Sequence, residues 1–296
     1  MITTLINREF KQEKYNILLI LSQDLIFDYM LCQLDHNFYC SEKWFGRDRF
    51  GQTIDKPDNL QFFINEPINL DYSLIITYGR LDAFSLAEQI GHHYHLPILC
   101  INNQAVNGID RTQHWEVVKN RTGAATVYTS KNILNSWLNQ SGMVIPPPVP
   151  EFFNKENRTD KVDCTMLLPT SKQDEEMGRI LSKEFIVEYL WGRNLEDLSI
   201  QLKNSRVFVD LQGPNFQTAN LLALASGCQL VSVKRVENDE YCNNNRKLSN
   251  LGEFVQEIKD RLEKPQENNF VFNTVENFQK DMNFIIDKVA NQIYER

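Results

Sequence analysis

The sequence lacks any run of the roughly 18 apolar residues that a helix needs to cross a bilayer, so no transmembrane segment is expected. Its opening, Met1-Ile-Thr-Thr-Leu-Ile-Asn, has neither the basic start nor the long apolar core of a secretory signal, which predicts an intracellular protein. The six cysteines, at 32, 40, 100, 164, 228 and 242, include no CxxC pair. Cys32, Cys100 and Cys228 lie inside apolar segments, which favours buried reduced thiols over disulfides or a zinc site. No Asp-x-Asp metal signature occurs, and there are no internal repeats. His92, His93 and His95 close together invite a metal reading, but they have no carboxylate or cysteine partner at ligand spacing and they end a helical pattern before Pro97. A glycine-rich phosphate turn is also missing after the first strand-like run, Asn16-Ile-Leu-Leu-Ile-Leu21, which disfavours a dinucleotide dehydrogenase.

What is present is a chain of 296 residues, long enough for two α/β domains of ordinary size. A net charge of −8 argues against a surface coated all over by nucleic acid or anionic lipid, while leaving a local basic patch open. Strand-like apolar bursts alternate with helical periodicity throughout. In the first half, strands are predicted at 16–21, 60–64, 73–77, 97–101 and 125–128, with helices over 24–34, 81–92 and 131–138. In the second half, strands are predicted at 164–168, 185–190, 207–209 and 230–233, with helices over 195–202, 219–225, 248–262 and 275–293. The proline-rich run Val144-Ile-Pro-Pro-Pro-Val-Pro150 is semi-rigid and reads as the boundary between two domains.

Three places carry candidate chemistry. Lys43 to Gly51 interleaves three cations with three aromatics, and Trp44, Arg47 and Arg49 there would suit phosphate pairing and ring stacking. The alternative is a surface loop whose arginines pair with Asp48 and Asp55. Tyr78, Arg80, Asn102, Asn103 and Gln104 fall at the carboxyl ends of predicted strands, where open α/β sheets bind ligands, although Asn and Gln are also ordinary turn residues. The third place is Val207 to Val233, which reads as strand, loop, helix, tight turn and strand. Ala219 to Ala225 is made of strong helix formers, and Gly227 stands where a helix end needs a left-handed residue. The loop before that helix, Gly213 to Thr218, lies at a strand's carboxyl end and a helix's amino end, where backbone N–H groups favour a phosphate. Every βα unit has such a loop, so it could equally be a plain connection.

Residues 207–233 resemble the donor-binding segment of GT-B glycosyltransferases of the large retaining class. Phe216 matches the loop phenylalanine of that segment, and Leu221, Ala223, Leu224, Ala225, Ser226, Gly227 and Cys228 match its helix and turn. The two family glutamates fall on Pro214 and Leu222, so both carboxylates are absent. Val127 to Ser130, Ser136-Trp137 and the proline-bearing linker are similar to the same enzymes. Lys172 stands where they carry a diphosphate-binding lysine, with Arg179 the nearest arginine, and Glu237 to Glu240 weakly resembles their acidic loop.

The resemblance implies two Rossmann-like α/β domains facing a cleft: an acceptor-side domain over 1–148, a donor-binding domain over 149–275, and a helix over 276–296 that crosses back. It implies a UDP- or GDP-sugar donor, no metal at the reaction centre, and transfer with retention. It assigns the donor to Lys172, Arg179, Gly213, Asn215, Phe216, Gln217, Thr218 and Asn220, and it leaves the catalytic residue unidentified. The basic-aromatic loop and an asparagine-rich, virus-like composition point to a hydroxymethylated pyrimidine in phage-type DNA as one acceptor, reached by base extrusion. The expected compartment is then the cytoplasm of a bacterium or a phage-infected host. The alternatives are a surface or capsular glycan acceptor, and a GT-B-like binding or assembly protein that no longer turns over. An epimerase of the same fold is disfavoured because no His/Glu base pair stands out.

Overall fold

The computed structural model describes residues 14–20, 24–41, 54–64, 71–106, 110–121, 123–138, 141–169, 171–211, 217–232, 251–266 and 270–291. The first sheet contains β1 (Asn16–Leu19), β2 (Asn37–Ser41), β3 (Leu60–Phe63), β4 (Leu74–Tyr78), β5 (Ile98–Asn102), β6 (Ala125–Tyr128) and β7 (Met143–Val144). Their spatial order is β3-β2-β1-β4-β5-β6-β7, with every neighbouring pair parallel. The four described helices between these strands are α1 (Leu25–Leu31), α2 (Leu81–Tyr94), α3 (Arg111–Asn120) and α4 (Lys131–Ser136). The apolar bursts of β1 and β4 make them central: Ile17, Leu18 and Leu19, and all five residues of β4, are buried. That is the pattern of a parallel sheet covered on both faces.

The second sheet is smaller. It contains β8 (Val162–Leu167), β9 (Val187–Leu190), β10 (Ser205–Asp210) and β11 (Gln229–Ser232), in the parallel order β11-β10-β8-β9. Helices α5 (Lys172–Leu181), α6 (Leu195–Asn204) and α7 (Gln217–Ala225) alternate with its strands, and α8 (Leu251–Glu263) follows. Phe254 and Ile258 of α8 pack on Val207, Val209 and Val231. The last helix, α9 (Val275–Ala290), returns to the first sheet. There Phe278 meets Phe27 edge-on, with ring centroids 6.0 Å apart, and Met282, Ile286 and Val289 join the core.

The two passages of chain between the sheets lie side by side. Val149 N–H donates to the Asn273 carbonyl at 2.8 Å, and Asn273 Nδ2 donates to the Pro146 carbonyl at 2.8 Å. Prolines there supply carbonyl acceptors without competing N–H donors, so Asn273 clips the outgoing linker to the returning one.

Four described elements do not follow from the sequence periodicity. β2 (NFYCS) mixes residue types, and β7 has two residues. α3 (RTQHWEVVKN) buries only His114 and Val117, so it shows no apolar stripe. α5 begins at Ser171, whose hydroxyl accepts from Asp174 N–H while the Asp174 carboxylate accepts from Ser171 N–H, a complete capping box. Cys32, Cys40, Cys100, Cys164 and Cys228 are buried free thiols, and Cys242 lies outside the described residues. Burial pushes the Cys100 and Cys228 thiols up to about 11, so neither is poised as a thiolate.

Candidate functional site

In an open parallel sheet, ligands bind beyond the carboxyl ends of the strands where the strand order reverses. In the first sheet that point is β1/β4, which leads into Asp24 on one side and Gly79-Arg80 on the other. In the second it is β8/β10, leading into the starts of α5 and α7.

At the second point, β10 ends on the buried Asp210, whose Oδ2 accepts from Asn220 Nδ2 at 2.9 Å. Asn220 therefore anchors α7 to its own strand from inside. Gly213, Asn215 and Phe216 lie outside the described residues, as does the side chain of Gln217. Thr218 is fully buried at the first turn of α7, and its Oγ1 lies beside the Asp24 carboxylate without a well-aligned hydrogen bond. At the other end of α7, Gly227 takes φ +86°, while Cys228 N–H returns to the Ala223 carbonyl at 2.9 Å and Arg158 Nη1 caps the Ser226 carbonyl at 2.5 Å. This closure requires glycine, because a Cβ would add left-handed strain and meet Arg158 at 3.0 Å.

Leu222, at the position of the second family glutamate, is 0% exposed and belongs to the apolar cluster linking α7 to Phe27 and Met30 of α1. Lys172 is exposed at the first position of α5, beyond the carboxyl end of β8. Arg179 is not brought to that edge. It lies in the last turn of α5, about two helical turns from Lys172, and faces Glu176 at 3.7 Å on the surface.

The contact that joins the two switch points was not visible in the sequence. Asp24 caps α1, its Oδ1 accepting from Phe27 N–H at 3.0 Å, and its Oδ2 accepts from Thr218 N–H of α7 at 3.0 Å. The side chain is 2% exposed. Burial pushes its carboxyl up to about 6, against the pull of the Thr218 and Phe27 N–H groups.

On the first sheet, Gly79, Arg80, Asn102, Asn103, Gln104 and Trp137 pack around a gap too small for a water molecule, and the Asn102, Asn103 and Gln104 side chains expected to face a cleft are buried. Gly79 is required by close approach, since a Cβ there would meet Asn102 Oδ1 at 1.9 Å. Trp137 Nε1 donates to the Gln104 carbonyl at 3.0 Å and fixes the loop after β5, while the buried Asn102 Nδ2 has no partner. Arg80 is half-exposed and donates to Asp82 from Nε and Nη2 at 3.3 and 3.2 Å. Tyr78 departs from the expectation that it faces the cleft. It is 1% exposed, its hydroxyl donates to the buried Asp28 Oδ1 at 2.5 Å, and it braces α1, because β4 is central and its side chains point into covered faces. Trp44, Arg47 and Arg49 lie outside the described residues. His92, His93 and His95 are exposed at the end of α2, and among the described residues no group of three His, Cys, Asp or Glu could hold a metal ion.

No protein-family model matches the chain, and no curated protein matches it in sequence. The backbone does match solved structures. A UDP-GlcNAc 2-epimerase from Methanocaldococcus jannaschii, in complex with UDP-GlcNAc and UDP, aligns over 92% of this chain and 99% of that one, at TM-score 0.59 and 10% identity. Sucrose-phosphate synthase from Thermosynechococcus elongatus aligns over 95% and 98%, at TM-score 0.55 and 10% identity. MurG from Acinetobacter baumannii aligns over 95% and 100%, at TM-score 0.52 and 9% identity. The chain has the GT-B fold. At these identities the likeness is one of fold, and within that GT-B frame the α1–α7 junction is where the two sheets' ligand edges meet. No described helix is long and apolar enough to cross a membrane.

Proposed function

We propose that the protein binds a nucleotide-sugar of the UDP or GDP type and transfers the sugar to an acceptor hydroxyl. The observation that carries this reading is the meeting of two parallel-sheet switch points at the amino end of α7. The donor diphosphate would lie on the α7 N-terminus with Lys172 beside it, where positive groups offset the charge that develops on the departing nucleotide. Gly213, Asn215, Phe216 and Gln217 would complete this side. Asn220 would act from behind, by holding α7 to Asp210. The acceptor would lie on the first-sheet side, beyond the carboxyl ends of β4 and β5 that carry Arg80, Asn102, Asn103 and Gln104. The epimerase of the same fold carries UDP-GlcNAc and UDP, which supports a nucleotide-sugar ligand. The reaction would retain configuration and use no metal at its centre. Two acceptors are carried forward: a hydroxymethylated pyrimidine in DNA, with Trp44, Arg47 and Arg49 as its contacts, and a surface-glycan intermediate.

A second reading, a GT-B-like binding or assembly protein without turnover, is favoured by Leu222. An apolar, fully buried side chain there offers a ribose nothing to bond. Thermal stabilisation by a panel of nucleotides and nucleotide-sugars, followed by transfer assays with hydroxymethylated duplex DNA and with glycans, separates the two. Stabilisation by one nucleotide that is lost in Lys172→Ala, together with transfer, is the expected result. Stabilisation without hydrolysis or transfer to any acceptor supports the second reading, and no stabilisation by any nucleotide overturns the transferase reading and leaves the assembly protein.

A further inference from the structure

The amino end of α7 exposes N–H groups with no helical partner and a partial positive charge, and an anion satisfies both. α7 has no acidic residue in its own first turn. The carboxylate found there comes from 194 residues away, in the other half of the molecule. Asp24 places one oxygen on α1 through Phe27 N–H and the other on α7 through Thr218 N–H, both at 3.0 Å, and is 2% exposed. Beside this contact the Thr218 hydroxyl, 0% exposed, makes no well-aligned hydrogen bond and lies close enough to Asp24 to help hold its carboxyl down, and a phosphate oxygen in the carboxylate's place could accept from it.

We propose that Asp24 is an internal anion occupying the α7 seat, so that a phosphate group binds there only after this carboxylate has left. Two anions cannot share one amide donor at hydrogen-bonding distance without strong repulsion, so occupancy is exclusive. Because Asp24 also caps α1, its departure frees the Thr218 N–H and the Phe27 N–H together, while the packing of Leu222 on Phe27 and Met30 keeps α7 against α1. The proposal rests on the donor reading for the identity of the incoming group as a nucleoside diphosphate. The seat and its occupant stand on geometry.

The experiment measures binding of inorganic pyrophosphate and of UDP by calorimetry at pH 7.5. Wild type is compared with Asp24→Ser and Asp24→Asn, both of which keep a side chain able to cap α1. Asp35→Asn, an exposed acid, controls for net charge. Both Asp24 variants should bind pyrophosphate about tenfold more tightly than wild type, with Asp35→Asn unchanged. Equal or weaker pyrophosphate binding in both variants overturns the proposal. The two ideas fail separately. UDP that binds wild type and Asp24→Ser equally, together with pyrophosphate that gains nothing in either variant, removes the proposal and leaves the donor reading standing. A gain for pyrophosphate with none for UDP upholds the anion seat and removes the donor reading. Should the variants fold poorly, the wild-type amide spectrum decides: saturating pyrophosphate should move the Thr218 and Phe27 resonances together. An unshifted Thr218 amide overturns the proposal.

Discussion

Asp24 and Arg121 are both charged side chains taken out of water, 2% and 4% exposed, and the protein accommodates them in opposite ways. Asp24 is held by backbone dipoles at two helix starts belonging to different halves of the chain. Arg121 sits inside the first domain and forms no ion pair among the described residues. It donates from Nη2 to Thr126 Oγ1 at 2.9 Å and to the Tyr128 hydroxyl at 3.2 Å, while Nε and Nη1 have no partner. Its guanidinium carbon lies 4.9 Å from the Trp137 ring centroid and 5.8 Å from that of Tyr128. Burial together with this cation holds His114 below its ordinary value. A charge held by aromatic faces within one core adds rigidity locally. A charge bridging two domains through backbone donors ties the two halves of the chain at a single side chain.

Trp137→Ala should show the largest effect, because it removes both a buried indole and the face under Arg121. A loss of about 3–5 kcal/mol is expected in urea unfolding, and a loss below 1 kcal/mol would mean that the aromatic face does not support the cation. Next comes the pH response of Asp24. Its folded value of about 6 lies above the ordinary 3.8, so its contribution to stability is full below pH 3.8 and lost as pH rises through 6. The difference of 2.2 pH units corresponds to about 3 kcal/mol. Unfolding midpoints of wild type and Asp24→Ser measured from pH 4 to 7.5 should therefore converge or cross in the variant's favour as pH rises. A difference independent of pH would break the contrast with Arg121. The smallest effect is expected for Arg121→Met, which replaces a buried charge by an apolar chain of similar reach. Stability within about 1 kcal/mol of wild type fits a cation held by packing, whereas a loss above about 3 kcal/mol would reveal an anion that keeps it in place.

These comparisons also separate what a sequence carries from what it does not. The α7 unit was legible because its signals are local: an Ala/Leu run, a glycine at the turn, and apolar strands on either side. The alternation of strands and helices likewise led to the parallel sheets and the fold class. Asp24 was not legible, since an Asp before a helix is first of all a cap, and its second partner is fixed only by how the domains meet. Tyr78 and Arg179 show the reverse problem. Each has a residue type suited to a site, but the central position of β4 turns Tyr78 inward, and the length of α5 carries Arg179 away from Lys172. α3 escaped notice because it contributes only His114 and Val117 to the core.

The return of α9 has a consequence for how the molecule is made. Phe278, Met282, Ile286 and Val289 complete a core whose strands β1 to β7 are all synthesised before β8 begins. During translation the first domain therefore waits with an uncovered apolar face while the whole second sheet is produced. The half of the protein that is begun first is finished last, and its nascent form is the one most exposed to aggregation and chaperone capture.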